Sequence, residues 1–188
     1  MAVELDITLL EFPKNLALVS RKVKESSPKS IVRVYHPPEV GKLIEKWCQQ
    51  TGNTFRSIYP TLSEVERGKG FHGVCLNEKL SFYLTGLRLH LKEYLLRFMG
   101  KYPPYLFNFI SIDCALRGME FLEKEGFEFT ILPSPKEVEG YCGFAVGFKD
   151  SKTCIKGFNT LLENKIGVEV IFKQVKGGFE IIKTAWES

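Results

Sequence analysis

The side chains with the clearest capacity for chemistry are five cysteines: Cys48, Cys75, Cys114, Cys142 and Cys154. A thiol becomes a nucleophile or a sulfur carrier when a nearby positive charge or a helix N-terminus lowers its pKa. The five are odd in number, widely spaced and never arranged as C-x-x-C, so we expect a reducing compartment, the cytoplasm, rather than a secreted disulfide framework. No histidine stands at ligand spacing from a cysteine pair, so we expect no metal site. Chemistry at a thiol also needs no organic cofactor, so we expect none.

Cys142 has the most distinctive surroundings. It closes a loop that begins with Pro133 and Pro135, and Gly143 follows it directly. The prolines stiffen the entry to the loop, and Gly143 permits close approach of the backbone to the sulfur. Lys136 offers a positive charge that favours the thiolate. The competing interpretation is a buried thiol at the start of a strand.

The first 78 residues predict the order βαβαββ. Alternation and helical spacing predict strands at 3–9, 30–35, 54–59 and 71–76, and helices from Pro13 and from about Glu39. Pro13 suits a helix start, and Gly52 suits a helix end. Gly68 to Gly70 are too short for a phosphate loop, so we expect a hairpin turn there.

An amphipathic helix is predicted over residues 79–99. Its apolar residues recur at steps of three and four: Leu80, Leu84, Leu87, Leu91, Leu95 and Phe98. Gly100 and two prolines end it. Two interpretations remain open: a linker packed on the neighbouring modules, or a dimerisation helix that makes the protein a homodimer.

Residues 104–188 predict the order βαββαβ, with a final hairpin through Gly177 and Gly178. We expect strands at 106–110, 127–132, 144–148 and from 168, and helices at 113–125 and 151–164. This order is typical of a ferredoxin-like sandwich, with both helices on one face of an antiparallel sheet. The fold class is therefore α+β: two small two-layer sandwiches (1–78 and 104–188) joined by a helical linker (79–103).

In a βαββαβ sandwich, the loop between the second and third strands lies at the same end as the start of the first helix. Cys142 is therefore expected near Cys114, in the first turn of that helix, where the macrodipole favours a thiolate. Cys154 lies at the other end of the third strand, roughly 20 Å away at the usual rise of a strand. Cys48 and Cys75 are interpreted as small core residues.

The bulk composition excludes several classes of partner. Basic residues number 26 against 22 acidic ones, giving a net charge of +4. Because this excess forms no basic strip with interleaved aromatics, we expect no nucleic-acid partner. No apolar run is long enough to span a bilayer, so we expect no membrane partner. Residues 1–6 show no basic region followed by a long apolar run, so we expect no secretory signal.

The stretch from Leu132 to Phe148, LPSPKEVEGYCGFAVGF, resembles a small bacterial and archaeal family of selenium/sulfur-carrier-like domains. Phe109-x-Ser111 and Ala115 lie upstream in the same match. That family has a Cys-Gly pair ahead of a strand, which implies that Cys142 is the carrier cysteine. Lys136 stands where the family usually has arginine.

Residues 3–76 are similar, mainly in pattern, to the TusA/SirA-like sulfur-carrier family. That family places a C-P-x-P motif at the start of its first helix, whereas this chain reads Phe12-Pro13-Lys14-Asn15. Since Phe12 replaces the sulfur-accepting cysteine, the resemblance implies a docking module without its own carrier thiol.

Together these features favour a sulfur- or selenium-trafficking accessory protein, at most a sulfurtransferase. Cys142 would hold the persulfide with Cys114 as a possible second thiol, and donor or acceptor proteins would be the partners. The alternative is a non-catalytic interaction or dimerisation protein with structural cysteines. A third hypothesis, a small-ligand regulatory domain, rests on fold analogy.

Overall fold

The computed structural model describes residues 3–68, 76–135 and 143–187, with the backbone alone for 76–86. The first half contains β1 (Val3–Asp6), α1 (Lys14–Glu25), β2 (Ile31–Tyr35), α2 (Pro38–Thr51), β3 (Thr54–Tyr59) and β4 (Leu62–Glu66). Its four strands form an N-terminal sheet in the order β1-β2-β4-β3, in which β1 and β2 are parallel. The second half contains α3 (Leu76–Phe98), β5 (Tyr105–Phe109), α4 (Ile112–Lys124), β6 (Thr130–Pro133), β7 (Phe144–Phe148), α5 (Ser151–Glu163), β8 (Val168–Val175) and β9 (Gly178–Thr184). Among the described helices, none is long and apolar enough to cross a membrane.

The predicted fold class is confirmed: the protein is α+β, with a βαβαββ unit followed by a βαββαβ unit. The C-terminal sheet has the order β6-β7-β5-β8-β9, with antiparallel pairing throughout. The β9 strand adds the predicted hairpin to the outside of β8. The predicted boundaries at residues 78 and 103 stay a prediction.

Two helix ends follow the predicted signals. Pro13 precedes the first residue of α1, and the backbone N–H of Ser26 donates to the Lys22 carbonyl at its end. Gly52 ends α2 in the left-handed conformation, with φ of 72°, which glycine adopts without steric cost.

The predicted pairing of β3 with a strand at 71–76 is wrong, because the partner of β3 is β4 (Leu62–Glu66), reached through a tight turn at Pro60 and Thr61. This strand was missed because a polar residue, Ser63, takes an inward position, where its hydroxyl pairs with His36 Nε2 at 2.8 Å. Leu76 begins α3, and residues 71–75 lie outside the described residues. The turn that joins β3 to its partner is predicted at 68–70 and instead lies at 60–61. Gly68 follows β4 and its N–H donates to Asn53, and residues 69–70 lie outside the described residues.

The first strand is shorter than predicted, since β1 ends at Asp6 rather than at residue 9. The Asp6 carboxylate accepts hydrogen bonds from the N–H of Thr8 at 2.9 Å and from its hydroxyl at 2.7 Å. Such a local side-chain contact turns the backbone and ends the strand.

The C-terminal sheet is buried on both faces. On one face, α4 and α5 cover a group of aromatic rings, in which Phe107 stacks on Phe148 and meets Phe109 and Phe158 edge to face. On the other face, Leu106 and Phe172 pack with Leu96 of α3. Two buried faces explain why β5 reads as a nearly continuous apolar run.

The two halves share one continuous apolar cluster rather than meeting only at α3. The cluster extends from α1 and α2 into the aromatic face of the C-terminal sheet. At the seam, the indole N–H of Trp47 in α2 donates to the carbonyl of Ile110 at 3.0 Å, and both residues are buried. The end of β5 is thus held by a side chain from the first half.

A buried polar pair interrupts the core at β8. Asn108 stands opposite two residues of β8, because the register passes from Phe107↔Ile171 to Phe109↔Val168. This is a β-bulge. The Asn108 amide donates to Glu169 at 2.7 Å and its oxygen accepts from the Val170 N–H at 3.2 Å, so one side chain satisfies both irregular positions.

Glu169 lies fully buried where α1 packs against β8. Burial raises the pKa of its carboxyl to about 7, against an ordinary 4.5, while the charges of Arg21 and Lys24 and the bond from Asn108 oppose this shift. The carboxyl is therefore protonated in the folded protein at a pH where it is ionised in the unfolded chain.

We predict that Glu169→Gln changes how stability depends on pH. A raised folded pKa contributes stability that is present below pH 4.5 and is lost as the pH rises towards about 7. The free energy of unfolding of the wild type, measured in urea at fixed ionic strength, should therefore fall between pH 5 and pH 8 relative to the variant, by up to a few kcal/mol. Glu180→Gln, at an exposed carboxylate of β9, controls for the lost charge. If the free energies of unfolding of Glu169→Gln and the wild type differ by the same amount at pH 5 and pH 8, the raised pKa of Glu169 is contradicted.

Candidate functional site

The candidate site lies at one end of the strands of the C-terminal sheet, where three neighbouring strands begin or end. The pairs Asn108↔Ala145 and Pro133↔Phe144 fix the register of β5, β7 and β6 at this end. Here β5 leads through Ser111 into α4, and the loop from β6 to β7 leaves and returns. The predicted placement of this loop at the α4 end of the sheet is confirmed for its two anchors.

The loop anchors are held by buried and hydrogen-bonded backbone. Pro133 and Pro135 are buried. The N–H of Ser134 donates to the carbonyl of Gly143 at 3.0 Å, which closes the loop at its base. The loop thus starts and ends at fixed points, about one strand spacing apart. Lys136 and Cys142 belong to residues 136–142 between these points and lie outside the described residues.

Gly143 follows the candidate cysteine and has a φ of +69°. This left-handed conformation is costly for residues with a side chain. Among the described residues other than its chain neighbours, none has a heavy atom within 4 Å of the position that a Cβ would occupy. The role of Gly143 is therefore conformational: it turns the chain from the loop into β7.

Cys114 lies in the first turn of α4, as predicted. Ser111 begins that helix, and its hydroxyl accepts from the Cys114 N–H at 3.3 Å. The thiol is half-buried and free.

The sulfur of Cys114 is directed towards β8 rather than β7. A Cβ placed on Gly167, which leads into β8, would be 3.2 Å from Cys114 Sγ. Because β7 and β8 flank β5 on opposite sides, this sulfur lies on the side of β5 away from the loop anchors. The pairing of Cys114 with Cys142 stays a prediction.

Two other cysteines lie in environments that suppress thiolate chemistry. Burial raises the pKa of Cys48 to about 12, with a further contribution from Glu45. Burial also raises the pKa of Cys154 to about 12, with a contribution from Asp150. The core role predicted for Cys48 agrees with this burial. The helix N-terminus at Cys154 does not lower the pKa, because desolvation outweighs it. Cys75 lies outside the described residues.

Polar residues inside the apolar strands are features that the sequence reasoning missed. Asn108 and Glu169 interrupt the runs LFNFI and VEVIF, and a polar residue within a buried strand signals an internal hydrogen bond. In the described part of the chain, no group of three or more His, Cys, Asp or Glu side chains is arranged to hold a metal ion.

The fold and the site define a class: a ferredoxin-like α+β sandwich whose β6–β7 loop carries a cysteine followed by a left-handed glycine. Residues 104–173, from just before β5 into β8, match the family model described as "Putative Se/S carrier protein-like". A search of curated proteins and a search of solved structures returned no match. The match therefore concerns the C-terminal sandwich, and the TusA/SirA-like resemblance of the first half stays a prediction.

We predict that Cys48 and Cys154 resist alkylation in the folded protein. With a pKa of about 12, only about one thiol in ten thousand is ionised at pH 8, and burial also blocks the reagent. Each cysteine falls on its own tryptic peptide, so labelling by iodoacetamide can be assigned by mass spectrometry. The denatured protein should label at all five cysteines and is the control. Labelling of either buried thiol at the rate seen in the denatured chain would contradict their placement.

A second prediction concerns the turn at Gly143. Gly143→Ala should lower the free energy of unfolding by about 1–2 kcal/mol, because alanine is strained at positive φ. Gly143→Asn should cost less, since asparagine tolerates this conformation. Gly178→Ala is the matched control, because there too the described residues, chain neighbours aside, leave the space of the added Cβ open, and φ is not left-handed. Equal effects of alanine at the two glycines, measured by urea unfolding, would contradict a conformational role.

Proposed function

We propose that the protein is an accessory protein in sulfur or selenium trafficking, and that Cys142 carries the transferred atom. The observation that supports this most directly is the match of residues 104–173 to the selenium/sulfur-carrier-like family model. The position of Cys142 within that segment, immediately before Gly143, connects the match to a nucleophile.

The geometry of the loop anchors is compatible with this role. The Ser134–Gly143 hydrogen bond and the buried prolines fix the base of the loop. In contrast, Cys48 and Cys154 are buried with strongly raised pKa values. Thiol chemistry is therefore suppressed at two of the five cysteines, and a carrier role falls to the remaining ones, of which Cys142 stands in the matched Cys-Gly pair.

The transfer requires two exchange steps. The Cys142 thiolate attacks the outer sulfur of a donor cysteine persulfide, a new S–S bond forms, and the donor sulfur leaves as a thiolate with the electron pair of the broken bond. An acceptor thiolate then attacks the outer sulfur on Cys142, which leaves as a thiolate in turn. Lys136 would stabilise the anion at both stages by its positive charge. Selenium would be transferred by the same exchange.

The first half would serve as a docking module for the donor or acceptor. Its seam with the second half lies at the end of β5, where Trp47 contacts Ile110. A partner bound to the first half would therefore be held close to the end of β5, and the loop is anchored at this same end of the sheet.

The alternative function is a non-catalytic interaction or dimerisation protein, in which Cys142 is a packing residue. One observation favours it: α3 exposes large apolar side chains, including Tyr94 and Phe98. The two functions differ in what removal of the Cys142 thiol does: it abolishes sulfur loading in the first and leaves it unchanged in the second.

We predict that incubation with a cysteine desulfurase and cysteine adds one or more sulfur atoms to the intact protein, and that Cys142→Ser abolishes this gain. Intact-protein mass spectrometry measures both. Cys154→Ala is the matched control, because that thiol is buried and should not accept sulfur. Cys114→Ala tests the second thiol and should retain the first sulfur.

An equal mass gain in the wild type and Cys142→Ser would exclude Cys142 as the carrier. If the wild type gains no sulfur while the desulfurase loads a known acceptor under the same conditions, the interaction function would be preferred.

A further inference from the structure

The exposed face of α3 carries a continuous apolar surface that the sulfur-carrier function does not use. Five large side chains on one side of this helix and Met99 directly after it define the α3 stripe: Leu87, Leu91, Tyr94, Leu95, Phe98 and Met99. Their spacing follows the helical repeat, so they form one row rather than scattered contacts.

These side chains are exposed to a degree unusual for a surface helix. Phe98 is 81% exposed, Tyr94 68% and Leu87 67%. If a fully exposed large side chain presents about 200 Å², the stripe presents roughly 750 Å² of mainly apolar surface. The largest apolar patch on a monomeric protein is usually about 300–600 Å². The apolar area of the stripe therefore exceeds that of the largest patch on a typical monomeric protein.

The opposite side of α3 already packs on the protein. Leu96 packs against Tyr102 and Phe172, on the face of the C-terminal sheet opposite to α4 and α5. Between α3 and β6, a groove of about 600 Å³ is lined by Leu91, Leu95 and Ile131. Since β6 is the outermost strand at this end of the sheet, the stripe lies beside a sheet edge that natural proteins usually cover.

We propose that the α3 stripe is the interface of a homodimer, in which α3 of one protomer packs against α3 of a second copy. A standard protein interface buries about 800 Å² on each partner, which the stripe nearly supplies by itself. A two-fold axis places the same patch on both subunits, so one apolar row is sufficient to form both sides of the interface.

The charges that border the stripe set the expected salt dependence. Arg88, Lys92 and Lys101 are exposed beside it, whereas the carboxylate of Glu93 is paired with Arg97 at 2.9 Å. Two copies therefore bring like charges together at the rim while apolar side chains meet at the centre. Salt screens the repulsion, so self-association should tighten as the salt concentration rises.

The test is sedimentation velocity of the full chain at about 0.05 M and about 0.5 M salt. We expect a concentration-dependent dimer that is as tight or tighter at the higher salt. The double substitution Leu91→Lys and Phe98→Lys should weaken self-association at least about a hundredfold, because it places two charges in the apolar centre. Leu116→Lys is the matched control, since Leu116 is 60% exposed on α4, outside the stripe.

Circular dichroism and urea unfolding of dilute protein check that the variants fold, which is expected because the replaced side chains lie on the surface. Wild-type protein that stays monomeric at about 100 μM would overturn the proposal, because a dimer that weak would not keep the stripe covered. Undiminished dimerisation of the double variant would also overturn it. An anionic membrane is the other surface that could cover the stripe, and vesicles of phosphatidylserine and phosphatidylcholine test it. If the protein is monomeric and binds these vesicles through the stripe, less tightly at high salt, the stripe is a membrane-binding face and the proposal is wrong.

Discussion

The hydrogen bond from the Trp47 indole to the Ile110 carbonyl is the constraint on which the arrangement of the candidate site depends. Ile110 is the last residue before the cap of α4, and its buried backbone must be paired on both sides. Its carbonyl accepts from Trp47 of the first half at 3.0 Å, and its N–H donates to Gly167 at 3.2 Å. The end of β5 is thereby fixed between α2 and the entry to β8, and α4 starts from that fixed point.

This arrangement gives the first half of the chain a structural role in the second. The two halves share an apolar cluster, and α1 packs on β8, where Glu169 and Asn108 are buried together. A buried carboxyl whose pKa is raised is stabilised in its neutral form, so this seam is built to tolerate a polar pair rather than to exclude one. A module that only tethered a partner would not need to complete the core of its neighbour.

The surroundings of the cysteines determine which thiols can react. At Cys48 and Cys154, desolvation holds the thiol protonated. At Cys114, the half-buried sulfur is directed to Gly167, on the side of β5 away from the loop anchors. Cys142 belongs to the loop whose two ends, at Pro135 and Gly143, are held in place in the described part of the chain. The proposed carrier function centres on Cys142 for this reason.

Much of the fold could be predicted because strong local signals determine it. Pro13 and Gly52 stand where helices begin or end, and the βαββαβ order predicted the antiparallel sheet. The strand β4 could not be predicted, since Ser63 points inward and is satisfied by His36, a contact that no local pattern reveals. In the same way, helical spacing in α3 identified the apolar face but not its direction, because spacing does not say whether a face meets the core or the solvent.

The central claim is that Cys142 carries the transferred sulfur, and the most direct test locates the modified residue. After incubation with a cysteine desulfurase and cysteine, persulfides are trapped with iodoacetamide and the protein is digested with trypsin. Cys142 lies on the peptide spanning residues 137–149, which contains no other cysteine. We predict the trapped persulfide on that peptide. A persulfide found instead on residues 102–117, which contain Cys114, or on no peptide, would contradict the account.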